Sequence, residues 1–162
     1  MKHVRMITDG ACKGNPGRGG WACILKFQKH VKELYGFDPH TTNNRMEMTA
    51  AIAGMASLRE PCKVEILTDS EYLLQGATVW SKGWKQGGWK KKGEPIKNWD
   101  LWMAIDHLQQ KHDTHWTWTR GHSRDAENNR ADELASRAAQ EQITNAKVEI
   151  PRFELSAIYP LL

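Results

Sequence analysis

No run of about 18 consecutive apolar residues occurs anywhere in this 162-residue chain, so no membrane-spanning helix is expected. Cysteine is scarce. Cys12, Cys23 and Cys62 are odd in number and scattered, with no Cys-x-x-Cys spacing, so neither a zinc site nor a disulfide framework is implied. Three reduced, partly buried thiols are the expectation. The start, Met1-Lys2-His3-Val4-Arg5, lacks the apolar stretch of a secretory signal and reads as cytoplasmic. A dominant charge sign is missing too: 23 basic against 19 acidic residues leave a formal charge of +4. That is a mild lean towards a polyanionic partner, and it makes the placement of charge more informative than its total. Internal repeats and a second core are absent from the pattern, and the length suits one domain.

What is there reads as strands followed by alternating helices and strands. Val4 to Thr8, Trp21 to Phe27 and Val31 to Phe37 are apolar-rich runs joined by short polar links, predicting an antiparallel meander. The cluster Gly14 to Gly20 separates the first two as a turn. Thr41-Thr42-Asn43-Asn44 offers N-cap side chains before a helix over Arg45 to Leu58, which Pro61 closes. Val64 to Thr68 is a fourth strand, followed at once by a helix over Ser70 to Val79, a pattern that suggests a parallel crossover. Trp80 to Lys97 differs in kind: Lys82, Lys85, Lys90, Lys91, Lys92 and Lys97 face one acid, Glu94, and are interleaved with Trp80, Trp84, Trp89 and four glycines. A helix over Asn98 to Lys111, a strand over Thr114 to Thr119, a loop over Gly121 to Asp125 and a helix over Ala126 to Gln142 complete the domain. From Thr144 the periodicity stops, and residues 144–162 read as an extended or partly ordered tail.

Four acids stand out. Asp9 and Asp69 end apolar strand runs, Glu47 falls in the first turns of a helix, and Asp132 lies in the helix after the Gly121-His122-Ser123 loop. Each has a plain structural alternative: Asp9-Gly10 as a turn, Glu47 in a capping box with Asn44, Asp69 as a helix cap, Asp132 as a surface acid. Carboxylates gathered in one place repel unless a cation neutralises them, so a fold that gathers these four builds a site for a hard divalent metal. Asp125, Glu127 and Glu133 serve as contrast, expected to be solvated, with Glu133 spaced to pair with Arg137.

The strings Thr8-Asp9-Gly10-Ala11-Cys12, Gly14-Asn15-Pro16-Gly17, Thr41-Thr42-Asn43-Asn44-Arg45-Met46-Glu47, Thr68-Asp69-Ser70, Lys97-Asn98-Trp99-Asp100-Leu101-Trp102, Gly121-His122, Asn128 and Asp132-Glu133-Leu134-Ala135 closely resemble the bacterial ribonuclease HI family, colinear over residues 3–142. The resemblance implies an α/β ribonuclease H-like fold over residues 1–143, a five-stranded mixed sheet in order 3-2-1-4-5 flanked by helices. It implies a monomeric endonuclease that cuts the RNA strand of RNA–DNA hybrids, leaving 5′-phosphate and 3′-hydroxyl ends. By position, Asp9, Glu47, Asp69 and Asp132 would hold two Mg²⁺ ions, with Mn²⁺ able to substitute, and His122 would relay protons or help product leave. Asn15, Asn43 and Asn44 would sense 2′-hydroxyls in the minor groove, and His40, Thr42 and Asn98 would line a pocket for a DNA-strand phosphate. Trp80, Trp84 and Lys85 would meet the substrate from a basic handle, with Trp80 and Trp84 as anchors of the handle's own small core the alternative, and Asn128 and Glu71 would border the substrate.

Two positions depart from the family pattern. His40 stands where an arginine is common, and Glu71 stands where a glutamine is, placing an extra negative charge near the metals or the RNA backbone. Rival readings are a hybrid-binding module that has lost catalysis, and a related nuclease such as an integrase or junction resolvase. Four mutually repelling carboxylates bring a pure binder nothing, and the Thr-Thr-Asn-Asn-Arg-Met-Glu run disfavours the second.

Overall fold

The computed structural model describes residues 1–120 and 126–148. Three long antiparallel strands come first, β1 (Lys2–Lys13), β2 (Gly17–Phe27) and β3 (His30–Thr41), followed by α1 (Asn43–Ala56) and β4 (Cys62–Thr68). Next come α2 (Glu71–Gln75), a π-helical turn (Gly76–Trp80), α3 (Ser81–Gln86) and a small ribbon of β5 (Lys90–Lys91) and β6 (Glu94–Pro95). Then α4 (Trp99–Lys111), β7 (Asp113–Trp118) and α5 (Ala126–Glu141) close the domain. The main sheet is five-stranded in the order β3-β2-β1-β4-β7. This is the expected 3-2-1-4-5 order, since the ribbon's two strands are not part of it. β1 pairs in parallel with β4, and β4 with β7, as the two crossovers require.

Both faces of the sheet are covered. On one, Met6, Met48, Ile52, Met55, Ile66, Leu73, Trp102 and Ile105 are buried between the sheet and α1, α2 and α4. On the other, Ile7, Ala22, Ile24 and Leu67 meet Ala131, Leu134 and Ala135 of α5. Burying each large apolar side chain contributes on the order of 1.5–3 kcal/mol. The α5 helix lies on the backbone of β2: a Cβ at Gly20 would stand 2.1 Å from the Ala135 carbonyl oxygen. The alanines at 131, 135, 138 and 139 leave room for that approach. Arg130 Nε and Nη2 fork onto the Glu33 carboxylate at 2.7 and 3.1 Å, tying α5 to β3 and holding the Glu33 carboxyl below its usual range.

Several expectations shift. β1 does not stop at Thr8: its ladder with β2 runs on through Asp9–Ala22 to Lys13–Arg18, so only residues 14–16 are left to turn. The helix expected to end at Val79 instead continues through the π turn into α3, the start of the basic segment. There Trp89, only 1% exposed, anchors the segment, donating from its N–H to the Trp84 carbonyl and accepting from the Ile96 N–H. Trp84 packs on Trp102 with ring centroids 5.4 Å apart, while Trp80 is 41% exposed. Glu133 pairs with Arg130 rather than Arg137, which meets Glu141 instead. Glu127 is not a solvated bystander, since it pairs with Arg5 and Lys26. All three cysteines are free thiols.

The beginning of the tail has a definite place. β3 is an edge strand, and unpaired edges invite association. Asn145 accepts from the Tyr35 N–H and donates to the Glu33 carbonyl, and Thr144 accepts from the Phe37 N–H. These bonds occupy that stretch of edge, while Ala146 and Val148 pack against the core. Residues 149–162 lie outside the described residues. Among the described residues no helix is long and apolar enough to cross a membrane.

Candidate active site

The register that pairs Ile7 with Leu67 carries on two residues to set Asp9 of β1 level with Asp69, just past β4. The α1 helix enters from the other side. Its N-cap is Thr42, whose hydroxyl accepts from the Arg45 N–H at 3.3 Å. Glu47 is therefore not a capping residue, and its side chain is buried at the acids. Asp69 is likewise released from capping α2, because Ser70 does so, accepting from the Leu73 N–H. Asp9 belongs to an unbroken strand, so it is no turn residue either. Each structural alternative for these three acids is thus taken by another residue or by continued pairing.

Carboxylate oxygens of Asp9, Glu47 and Asp69 lie within 4.8 Å of one another. Gly10 permits it: a Cβ there would stand 2.5 Å from the Glu47 backbone nitrogen. Burial, then the charges of Asp69 and Asp132, push the Asp9 carboxyl up to about 8, against the bond from the Gly10 N–H that favours its charged form. Burial first, then Asp9 and Asp69, likewise hold Glu47 well above the usual range. Asp132, half-buried on α5, stands outside the tight group but within reach of Asp9 electrostatically. Glu47 Oε2 is buried and has no hydrogen-bond partner among the described residues. An all-oxygen donor set, crowded, desolvated and with an unsatisfied buried oxygen, fits a hard divalent cation.

Around this centre, Asn15 Oδ1 accepts from the Asn43 N–H at 3.0 Å, so the β1–β2 turn and the start of α1 form one surface. Asn43 and His40 are exposed, and Thr42 and Asn44 are half-buried. Glu71 is exposed two residues beyond Asp69. Asn128 is buried on α5, its Oδ1 without a partner among the described residues. Lys85 is engaged, with Nζ 3.0 Å from Asp106 on α4. Asn98 is held by Arg45 and Tyr72, and Arg45 also forks onto Asp100 at 2.8 and 3.0 Å. His122 lies outside the described residues.

The supporting residues were harder to find in the sequence. Gly10 and Arg45 sit inside the motif strings but signal nothing by themselves, and Tyr72 and Trp102 carry no mark of their role. A cleft of about 470 Å³, lined by His3, Arg5, Lys26, Lys63, Glu65 and His115 among others, contains none of the four acids. A centre built for an extended polymer has no need of a deep cavity.

The RNase H family model matches residues 1–140. Ribonuclease H of Solibacter usitatus is 57% identical over 143 residues, spanning 88% of this chain and 98% of its own length. Ribonuclease HI of Neisseria meningitidis serogroup A is 52% identical over 137 residues, 84% of this chain and 94% of its own. Among solved structures, LC9-RNase H1, a type 1 RNase H with the type 2 active-site motif, superposes with a TM-score of 0.82 at 29% identity, over 96% of this chain and 81% of that one. With the family model matched almost end to end over the folded domain, and more than half of the residues shared with a full-length relative, the chain belongs to the ribonuclease H family.

Proposed function

We infer that Asp9, Glu47, Asp69 and Asp132 are the centre at which this ribonuclease H hydrolyses the RNA strand of an RNA–DNA hybrid, endonucleolytically and with 5′-phosphate and 3′-hydroxyl products. One observation carries the reading: three acids from three elements converge within 4.8 Å, where burial and mutual repulsion favour whatever removes their charge. Mg²⁺ suits these oxygen donors, with two ions in the substrate complex and Mn²⁺ as a substitute. A bound divalent cation supplies positive charge at the phosphoryl oxygens and lowers the pKa of a nearby water.

The chain's own side chains do the rest. Asp9 and Glu47 are pinned by strand pairing and by the Gly10 contact, so their oxygens are set before substrate arrives. Asp132 approaches from α5, and His122, which precedes that helix in the sequence, would accept or deliver a proton as product leaves. Asn15, Asn43 and Asn44 offer amide donors and acceptors suited to a 2′-hydroxyl, which separates RNA from DNA. Thr42, Asn98 and His40 would take a phosphate of the DNA strand. Exposed Trp80, with Trp84 behind it, and the handle lysines would follow that strand. Lys85 would share its charge between phosphate and Asp106.

A labelled hybrid incubated with the protein and Mg²⁺, with and without chelator, tests the reading. Cleavage of the RNA strand alone, abolished by chelator, is expected. Asp69→Asn is expected to abolish turnover while hybrid binding in Ca²⁺ stays close to wild type. No cleavage at high enzyme would leave the binding module standing, and cleavage of plain duplex DNA would revive the integrase or resolvase reading.

A further inference from the structure

Asn98 occupies the N-cap of α4 and yet does not cap it. Its backbone is left-handed at φ 60, and its side chain makes no bond to the first turn. An asparagine at this position ordinarily accepts from the helix's own N–H groups. Here the amide is turned outwards and held from two sides. Arg45 Nη1 donates to Asn98 Oδ1 at 3.2 Å, and Asn98 Nδ2 donates to the Tyr72 hydroxyl at 3.0 Å. A guanidinium has no acceptor, so the amide oxygen must face Arg45 and the NH₂ must face Tyr72. Arg45 is itself braced by the two bonds to Asp100.

The Tyr72 oxygen also accepts from Trp102 Nε1 at 3.2 Å, so it receives two donors. Its own hydrogen finds no acceptor among the described residues. The Tyr72 ring is fixed by packing on Trp102, centroid to centroid 5.4 Å, and on Trp80 at 6.1 Å. The hydroxyl therefore cannot swing away without breaking a packed aromatic cluster. What the network leaves over is a second Asn98 N–H and the Tyr72 O–H, both donors.

We propose that Tyr72 is a positioning residue which, opposite Arg45, locks the Asn98 amide so that it presents an N–H to a phosphate oxygen of the bound hybrid. This rests on the reading of Asn98 as a phosphate contact. It assigns to a residue of α2 the orientation of a contact carried by α4, and it joins the handle's aromatic cluster to the strand-binding surface. Rotating the amide by half a turn would offer the phosphate a carbonyl oxygen, which repels it. Arg45, which can only donate, forbids that state, while the bond to Tyr72 holds the plane of the amide in place.

The test compares Tyr72→Phe, Asn98→Ala, Asn98→Asp and the Tyr72→Phe/Asn98→Ala double variant, with folding checked by thermal melts. Hybrid dissociation constants are measured in chelator, and KM and kcat in Mg²⁺. The phenylalanine keeps the ring and removes only the hydroxyl. It is expected to raise Kd and KM about two- to tenfold, the value of one hydrogen bond, with kcat unchanged. In the Asn98→Ala background the same change should add nothing, because no amide is left to orient. Asn98→Asp should bind more weakly than Asn98→Ala, since it turns a carboxylate to the phosphate. Wild-type KM and Kd in Tyr72→Phe, or an undiminished effect in the double variant, would overturn the proposal. Wild-type binding by Asn98→Ala would overturn it together with the phosphate contact, while loss of turnover in Asp69→Asn would show the catalytic reading untouched.

Discussion

Gly10 is one backbone position on which the metal-binding geometry depends. A methyl group there would meet the Glu47 nitrogen at 2.5 Å and the Met46 carbonyl carbon at 2.8 Å, both backbone atoms of α1. Neither can yield as a flexible side chain would, so Gly10→Ala must push α1 off β1 and draw Glu47 away from Asp9. The expected cost is about 1–3 kcal/mol of stability by urea unfolding, together with weaker Mg²⁺ binding by calorimetric titration. Metal affinity equal to wild type would show that the helix adjusts without moving the carboxylate. The acids themselves were legible as types in the sequence, but each was equally legible as a cap or a turn. What separated the readings was Thr42 and Ser70 taking the capping roles and β1 continuing through Asp9. Those outcomes depend on tertiary pairing, which local sequence does not encode.

At the scale of elements, α4, α1 and β4 are joined by one buried histidine. The Cys62 N–H donates to His112 Nδ1 at 3.1 Å, which leaves Nε2 to carry the proton and donate to the Met55 carbonyl at 3.2 Å. Only the neutral ring can do both. Burial accordingly holds the His112 pKa below 6.5, partly offset by the Met55 bond. The unfolded chain then binds the proton more readily, so this contribution to stability is complete above the unfolded value and is lost as pH falls below about 6.5. Unfolding free energy measured from pH 8 to 5 is expected to decline over the acid part. His112→Ala is expected to cost about 1–3 kcal/mol near pH 8, with a shallower decline towards acid pH. An unchanged slope in the variant would assign the acid limb to other groups. Nothing in the sequence marked His112, which ends a helix and looks like any exposed terminal histidine. The strand and helix order, by contrast, was legible, because alternation and helical spacing are local. The end of the second helix, expected at Val79, shifted because helix continues through the π turn, where Gly76 lies directly against the Trp102 ring, a tertiary contact that local propensity does not encode.

At the scale of the whole molecule, strand register and helix packing hold together carboxylates that would separate if free to do so. The Asp9 carboxyl, raised to about 8, makes the folded metal-free protein bind protons that the unfolded chain releases near 4. Its contribution therefore favours the fold at acid pH and erodes as pH rises towards 8. A divalent cation removes that repulsion without a proton. Millimolar Mg²⁺ is expected to raise Tm at pH 8, chelator to reverse it, and the gain to shrink near pH 5.5 as protons compete for the same oxygens. A Tm indifferent to Mg²⁺ at pH 8 would argue against a preformed metal site. The sequence by itself determined the element order, the composition of the handle and the family resemblance, because these are written in local periodicity and in contiguous strings. Only the tertiary structure decided that Asp9, Glu47 and Asp69 meet, that Trp89 rather than Trp80 is buried, and that Thr144 and Asn145 close the β3 edge. Each of these joins residues far apart in the chain, and such contacts exist only once strand register and helix packing have been fixed.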